Sequence, residues 1–79
     1  MNWIDRIEQR PDVMLGKPVI KGTRITVELI LETLAEGTAE TDILAAYPRL
    51  QVEDIQAALA FAAASLSTEK TLFLQEKAG

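Results

Sequence analysis

The chain has 79 residues, 48% hydrophobic and 25% charged, with 8 basic against 12 acidic side chains and a formal charge of −4. These figures describe one folded domain with a modest core, too short for a second domain and too apolar for a disordered acidic segment. The absence of Cys and His removes disulfides, zinc–thiolate sites, thiol nucleophiles and the commonest general base and metal ligand, so most small-enzyme chemistry is excluded.

The first 26 residues read as extended. Trp3-Ile4-Asp5-Arg6-Ile7 suggests a short strand. Gly16 and Gly22 bracket Lys17-Pro18-Val19-Ile20-Lys21. The β-branched segments Val19-Ile20 and Arg24-Ile25-Thr26-Val27 flank a tight turn at Lys21-Gly22-Thr23, which predicts a small hairpin. A first helix is expected from Thr26 to Glu36, capped by Thr26 and stopped by Gly37, with Val27, Ile30, Leu31 and Leu34 inward. A second runs from Thr38 to Tyr47, because Pro48 disfavours helix at the residue before it, and buries Ile43, Leu44 and Tyr47. A third starts near Val52, with a core stripe at positions 52, 55, 59, 62 and 66 and Phe61 off that stripe as a second contact face. Its many alanines allow a neighbour to approach closely. The tail from Thr68 is charged except for Leu72-Phe73-Leu74, three large apolar residues that must fold back or meet another chain.

The start of the chain lacks the basic and apolar regions of a signal peptide. The longest uncharged stretch, Ile55 to Thr68, has 14 residues, short of the ~20 that span a bilayer. A cytoplasmic location away from membranes is therefore expected.

Charge is unevenly spread. Residues 1–26 carry five basic and three acidic side chains, whereas residues 27–79 carry three basic and nine acidic ones. A basic front and an acidic back suggest two surfaces with different partners. Lys17, Lys21 and Arg24, joined by Arg10 and Arg49, are the candidates for phosphate contacts, although Lys21-Gly22-Thr23-Arg24 reads equally well as a structural turn. Three to five such contacts grip weakly per chain, so nucleic-acid binding calls for a homodimer. The second and third helices have the lengths of a helix-turn-helix, but Glu53 and Asp54 in the first turn of the third would repel phosphate. Glu28, Glu32 and Glu36 recur every fourth residue along the first helix. They rise along one face, ~6 Å apart, rather than converging on an ion, so no metal site follows and the strip is either solvated or a docking surface for a basic partner. Gly16-Lys17 to Gly22-Thr23 does not make a phosphate loop, because Lys21 precedes Gly22 and Pro18 removes an N–H.

The run Gly16-Lys17-Pro18-Val19-Ile20-Lys21-Gly22-Thr23-Arg24-Ile25-Thr26-Val27 resembles the signature of the family catalogued as domain of unknown function 433. Leu34-Ala35-Glu36-Gly37, Ile43-Leu44 with Tyr47-Pro48 and Leu50, and Glu53-Asp54-Ile55 with Ala57-Ala58-Leu59 agree with it, so the likeness covers residues 4–66. Gln51 departs from the pattern, standing where a Thr usually caps the third helix, a loss of up to ~1 kcal/mol. The resemblance implies a homeodomain-like three-helix domain with a short N-terminal β region. It also implies an antitoxin of a type II toxin–antitoxin pair, encoded beside a PIN-like ribonuclease.

Together these readings give a mainly α, helix-turn-helix type fold in one domain over 1–79, with a β-hairpin region at 1–26, three helices at 27–66 and a tail at 67–79. The expected role is non-catalytic and needs no cofactor. The chain is expected to bind and neutralise a PIN-like ribonuclease toxin through Glu28, Glu32, Glu36, Leu72, Phe73 and Leu74. It is further expected to form a homodimer and to autoregulate through DNA. The alternative is a stand-alone DNA-binding regulator that uses the basic front.

Overall fold

The computed structural model describes the backbone of residues 2–78 and the side chains of residues 2–67. The order is a 3-10 helix (Trp3–Arg6), β1 (Ile7–Glu8), a 3-10 turn (Met14–Gly16), β2 (Val19–Ile20), α1 (Val27–Ala35), α2 (Glu40–Ala46) and α3 (Val52–Ala78). Three helices with a two-stranded antiparallel element at the N-terminal side make a mainly helical domain, as the hydrophobic periodicity predicts.

The strand expected over Trp3–Ile7 is instead a 3-10 helix, because the Asn2 side chain accepts the Ile4 N–H and starts a helical turn there. Only Ile7 and Glu8 remain extended, and they pair with Ile20 and Val19. The hairpin therefore forms with a different partner from the one expected. The turn at Lys21–Thr23 is real: the Thr23 N–H donates to the Ile20 carbonyl at 3.0 Å, with Gly22 at φ +78°. Positive φ at the third turn position is the reason a glycine is there. Beyond it, the return arm makes a single bridge, Val19 to Thr26, before the helix begins. Thr23 stiffens the turn further, its hydroxyl donating to the Ile20 carbonyl and accepting the Ile25 N–H.

Thr26 caps α1, its hydroxyl accepting the Leu29 N–H at 3.0 Å. Gly37 ends it at φ +91°: the Gly37 N–H returns to the Leu34 carbonyl and the Thr38 N–H to the Thr33 carbonyl. This is a Schellman closure, and α2 starts at Glu40 rather than Thr38 because the backbone at Ala39 is extended, at φ −69° and ψ 149°. The core gathers Ile20, Val27, Ile30, Ile43, Leu50, Ile55 and Ala58, with Leu31, Leu34, Leu44 and Tyr47 half-buried against it.

The expected core stripe of α3 needs correcting. Ile55 is fully buried, but Val52, Leu59 and Leu66 are 40%, 49% and 52% exposed. The buried face carries Asp54, Ile55, Ala57 and Ala58, and it continues through half-buried Phe61 and Ala62. Alanines win these positions because α1 and the N-terminal 3-10 helix lie close to α3, leaving no room for a longer side chain. Phe61 is thus part of the core side, and Trp3 meets it edge-on with ring centroids 5.9 Å apart.

Candidate nucleic-acid and partner surfaces

The basic candidates divide. Arg49, in the loop between α2 and α3, borders two neighbouring depressions. One, of about 530 Å³, is shared with Arg6, Lys21, Thr23, Gln51 and Asp54. The other is shared with Glu8, Arg10, Gly22, Thr23 and Arg24. The Gly22–Thr23 turn is common ground, because it carries Lys21 on one side and Arg24 on the other. The fold therefore brings Arg10, Lys21, Arg24 and Arg49 together on one side, and all four are exposed. Arg10 is bonded to Asp12 at 3.1 Å; Lys21, Arg24 and Arg49 have no ion-pair partner among the described residues.

Lys17 is not part of this group. Its ammonium lies 2.8 Å from a Glu28 carboxylate oxygen, and that hydrogen bond, followed by the charge of Glu28, raises its pKa above the ordinary lysine value. Chain adjacency places Lys17 near Lys21, but the cap at Thr26 swings Glu28 back over Lys17.

Arg6 joins the basic side in a different role. Its guanidinium donates to Asp54 Oδ1 at 2.9 Å, while Asp54 Oδ2 accepts the Gln51 N–H at 2.9 Å. Asp54 is 5% exposed. From the third helical position it makes one half of a capping box, taking the N–H of the N-cap residue Gln51, while the Gln51 side-chain oxygen accepts from Arg6 at 3.4 Å. Of the two acids expected to repel phosphate, only Glu53 faces water.

On the opposite charge, Glu28, Glu32 and Glu36 are all exposed on α1. Glu28 and Glu32 edge an apolar groove of about 290 Å³ between α1 and α3, lined by Pro18, Val27, Leu31, Phe61, Ala62 and Leu66. Glu36 sits at the far end of α1, away from the groove. Leu72, Phe73 and Leu74 lie on the helical backbone of α3, and their side chains fall outside the described residues.

Two features escaped the sequence reading. The groove is one, since it needs Leu31 and Phe61 side by side. The other is the loop before β2, where Met14, Leu15 and Gly16 all have positive φ and Leu15 is 95% exposed. No spacing signal marks a leucine in left-handed backbone. Among the described residues no three potential metal ligands cluster, and no helix is long and apolar enough to cross a membrane.

The depressions, turn and groove all lie largely within residues 7–62, and that span is matched by a family model described as "Protein of unknown function (DUF433)". The chain belongs to the DUF433 family. A curated relative, the uncharacterized protein y4eO of Sinorhizobium fredii, is 34% identical over 59 residues. The match takes in 75% of this chain and 27% of that protein, so the chain spans about a quarter of the length of the curated relative it matches. The crystal structure of a DUF433 member protein from Anabaena variabilis is similar at a TM-score of 0.70 and 27% identity, covering 99% of this chain and 77% of that one. The DUF433 assignment and the fold thus stand on both sequence and structure.

Proposed function

We propose that this DUF433 chain is a non-catalytic, cofactor-free binding protein that neutralises a PIN-like ribonuclease as the antitoxin of a type II pair, acting in the cytoplasm. The observation that carries this reading is the apolar groove edged by Glu28 and Glu32. A ribonuclease must present basic surface to its RNA. A groove with an apolar floor and an acidic rim suits an apolar side chain or short helix flanked by Lys or Arg, with the floor contributing affinity and the rim orientation. Glu36 extends the acidic strip along α1, and Leu72, Phe73 and Leu74 remain candidates for a second point of attachment.

The test is recovery of a complex from the native host with the tagged full chain. The co-eluting protein should degrade RNA once separated, and adding back the wild-type chain should stop it. The Leu31→Glu chain should fail to inhibit, because it places a charge in the groove floor. A co-eluting protein without ribonuclease activity, or inhibition unaffected by Leu31→Glu, would refute the reading.

A second reading rests on a separate observation, the gathering of Arg10, Lys21, Arg24 and Arg49 around one turn. Four phosphate contacts give an affinity that falls with salt at a slope of about −3 to −4 on logarithmic axes. If the isolated chain binds DNA with that slope, and Arg49→Ala lowers it by about 1, it acts as a regulator by itself. If binding appears only in the complex, the same surface serves autoregulation by the antitoxin.

A further inference from the structure

The groove between α1 and α3 has unlike edges. On the α1 side stand Glu28 and Glu32, one helical turn apart and both exposed, and α1 contains no lysine or arginine. On the α3 side stand Ser65 and Leu66, and no residue from Ile55 to Thr68 is charged. The floor between them, with Leu31, Phe61 and Ala62, is apolar. A segment lying in the groove therefore meets negative charge along one flank and none along the other.

The two acids are not equivalent. The Lys17 ammonium sits on a Glu28 carboxylate oxygen at 2.8 Å, so that acid already holds a cation. Glu32 has no ion-pair partner among the described residues, and its charge adds only a lesser pull on Lys17. Lys17 shows which group this rim accepts, and it leaves Glu32 as the acid open to a cation from outside.

The walls select the form of the occupant. Both are helices, whose backbone groups are spent on their own hydrogen bonds. Pro18, which also lines the groove, has no N–H, and its carbonyl accepts the Val27 N–H. An extended strand finds no backbone to pair with here, whereas an amphipathic helix binds through side chains alone. No described helix of this chain fits as that occupant: α1, α2 and α3 as far as Ser67 contain no lysine or arginine, so a second copy brings no basic edge. An anionic lipid surface would be repelled by Glu28 and Glu32.

We infer that the groove takes an amphipathic helix of the partner protein with Lys or Arg along one edge only, that Glu32 is the acid that selects it, and that Lys17 competes with it by occupying Glu28. This rests on the antitoxin reading for the partner's activity, and adds to it the shape of the recognised segment and the residues that set the preference. A rim charge acts chiefly on association rate and its salt dependence, which is where the selection is read.

The test is fluorescence anisotropy of the full chain with three labelled helical peptides of about 15 residues. They share one leucine stripe and differ at a single edge, which carries Arg, Gln or Glu. At low ionic strength the Arg peptide should bind about fivefold or more tightly than the Glu peptide, with the Gln peptide between them and the spread shrinking as salt is added. Glu32→Gln should weaken the Arg peptide about two- to fivefold, mostly through a slower association rate, and leave the Gln peptide unchanged. Lys17→Gln should strengthen the Arg peptide about twofold, an opposite sign that a merely structural role would not produce. Leu31→Glu should abolish binding of the Gln peptide, which locates it in the groove. Both Glu32 and Lys17 are exposed, so their variants keep the fold, checked by an unchanged far-UV circular dichroism spectrum. No binding, equal binding of the Arg and Glu peptides, or an effect of the same sign or none from Glu32→Gln and Lys17→Gln would overturn the proposal. Because no ribonuclease takes part, the two readings fail separately. A peptide preference as expected beside a host partner without ribonuclease activity removes the antitoxin reading alone. Ribonuclease inhibition lost in Leu31→Glu beside peptides that show no charge preference removes this one alone.

Discussion

Replacing Asp54 by alanine removes two hydrogen bonds from a carboxylate that is almost fully buried. One is the bond from the Arg6 guanidinium at 2.9 Å, and a buried charged hydrogen bond contributes about 1.5–3 kcal/mol. The Arg6 side chain is 31% exposed, so water compensates part of its loss and the lower end of that range applies. The other is the bond from the Gln51 N–H, the equivalent of a helix cap, at about 1 kcal/mol. The expected loss is therefore about 2–3 kcal/mol, or about 10–20 °C in Tm for a domain of this size. Asp54→Asn keeps one acceptor and should lose about half as much. Urea and thermal unfolding of Asp54→Ala, Arg6→Ala and the double variant measure both the loss and the coupling. A loss below about 1 kcal/mol, or a coupling energy indistinguishable from zero, would refute the assignment of Asp54 as the pin between the N-terminal segment and α3.

Three further outcomes follow from local geometry. Leu15→Asn should stabilise the free chain by about 0.5–1 kcal/mol in urea unfolding, since Asn tolerates the left-handed backbone that leucine occupies under strain; destabilisation would show that Leu15 makes compensating contacts. Gly37→Ala should cost about 1 kcal/mol in the same assay, because a Cβ there meets nothing within 4 Å and the strain of φ +91° is the whole effect. Lys17, followed by NMR, should titrate above the ordinary lysine value and return to it in Glu28→Gln. The sign follows from that raised value: the stabilisation from the Lys17–Glu28 pair is complete below the unfolded lysine pKa and is lost as pH rises through the raised one.

The parts of the fold legible in the sequence were those decided within a few residues. Thr26 and Gly37 bound α1 by local hydrogen bonds and local φ, and Gly22 marks its turn for the same reason. Three elements went astray because distant residues decide them. The inward face of α3 is set by how closely α1 and the N-terminal 3-10 helix approach, which makes Ala57 and Ala58 core residues and leaves the larger Leu59 outside. The Asp54 carboxylate is inward because its cation comes from Arg6, 48 positions earlier. β1 pairs with β2 across a ten-residue excursion, whereas the closer arm at Arg24–Val27 was the sequence expectation. On the surface, Lys21 and Arg24 stay neighbours because they share one turn, whereas Lys17, equally close in number to Lys21, is drawn to Glu28.

The pairing of Arg6 with Asp54 and of Trp3 with Phe61 has a consequence during synthesis. The Trp3–Arg6 segment leaves the ribosome well before its docking site, since α3 follows it by more than forty residues. Until Asp54 and Phe61 have emerged, Arg6 and Trp3 lack their native partners, and β1 can close against β2 only as an isolated two-stranded hairpin, which is marginal in water. Domains with helices in contact along the chain can assemble as they appear. Here α1 and α2 can pack early, while the Trp3–Arg6 segment waits, and the domain closes only when α3, more than forty residues further along, is there to receive it.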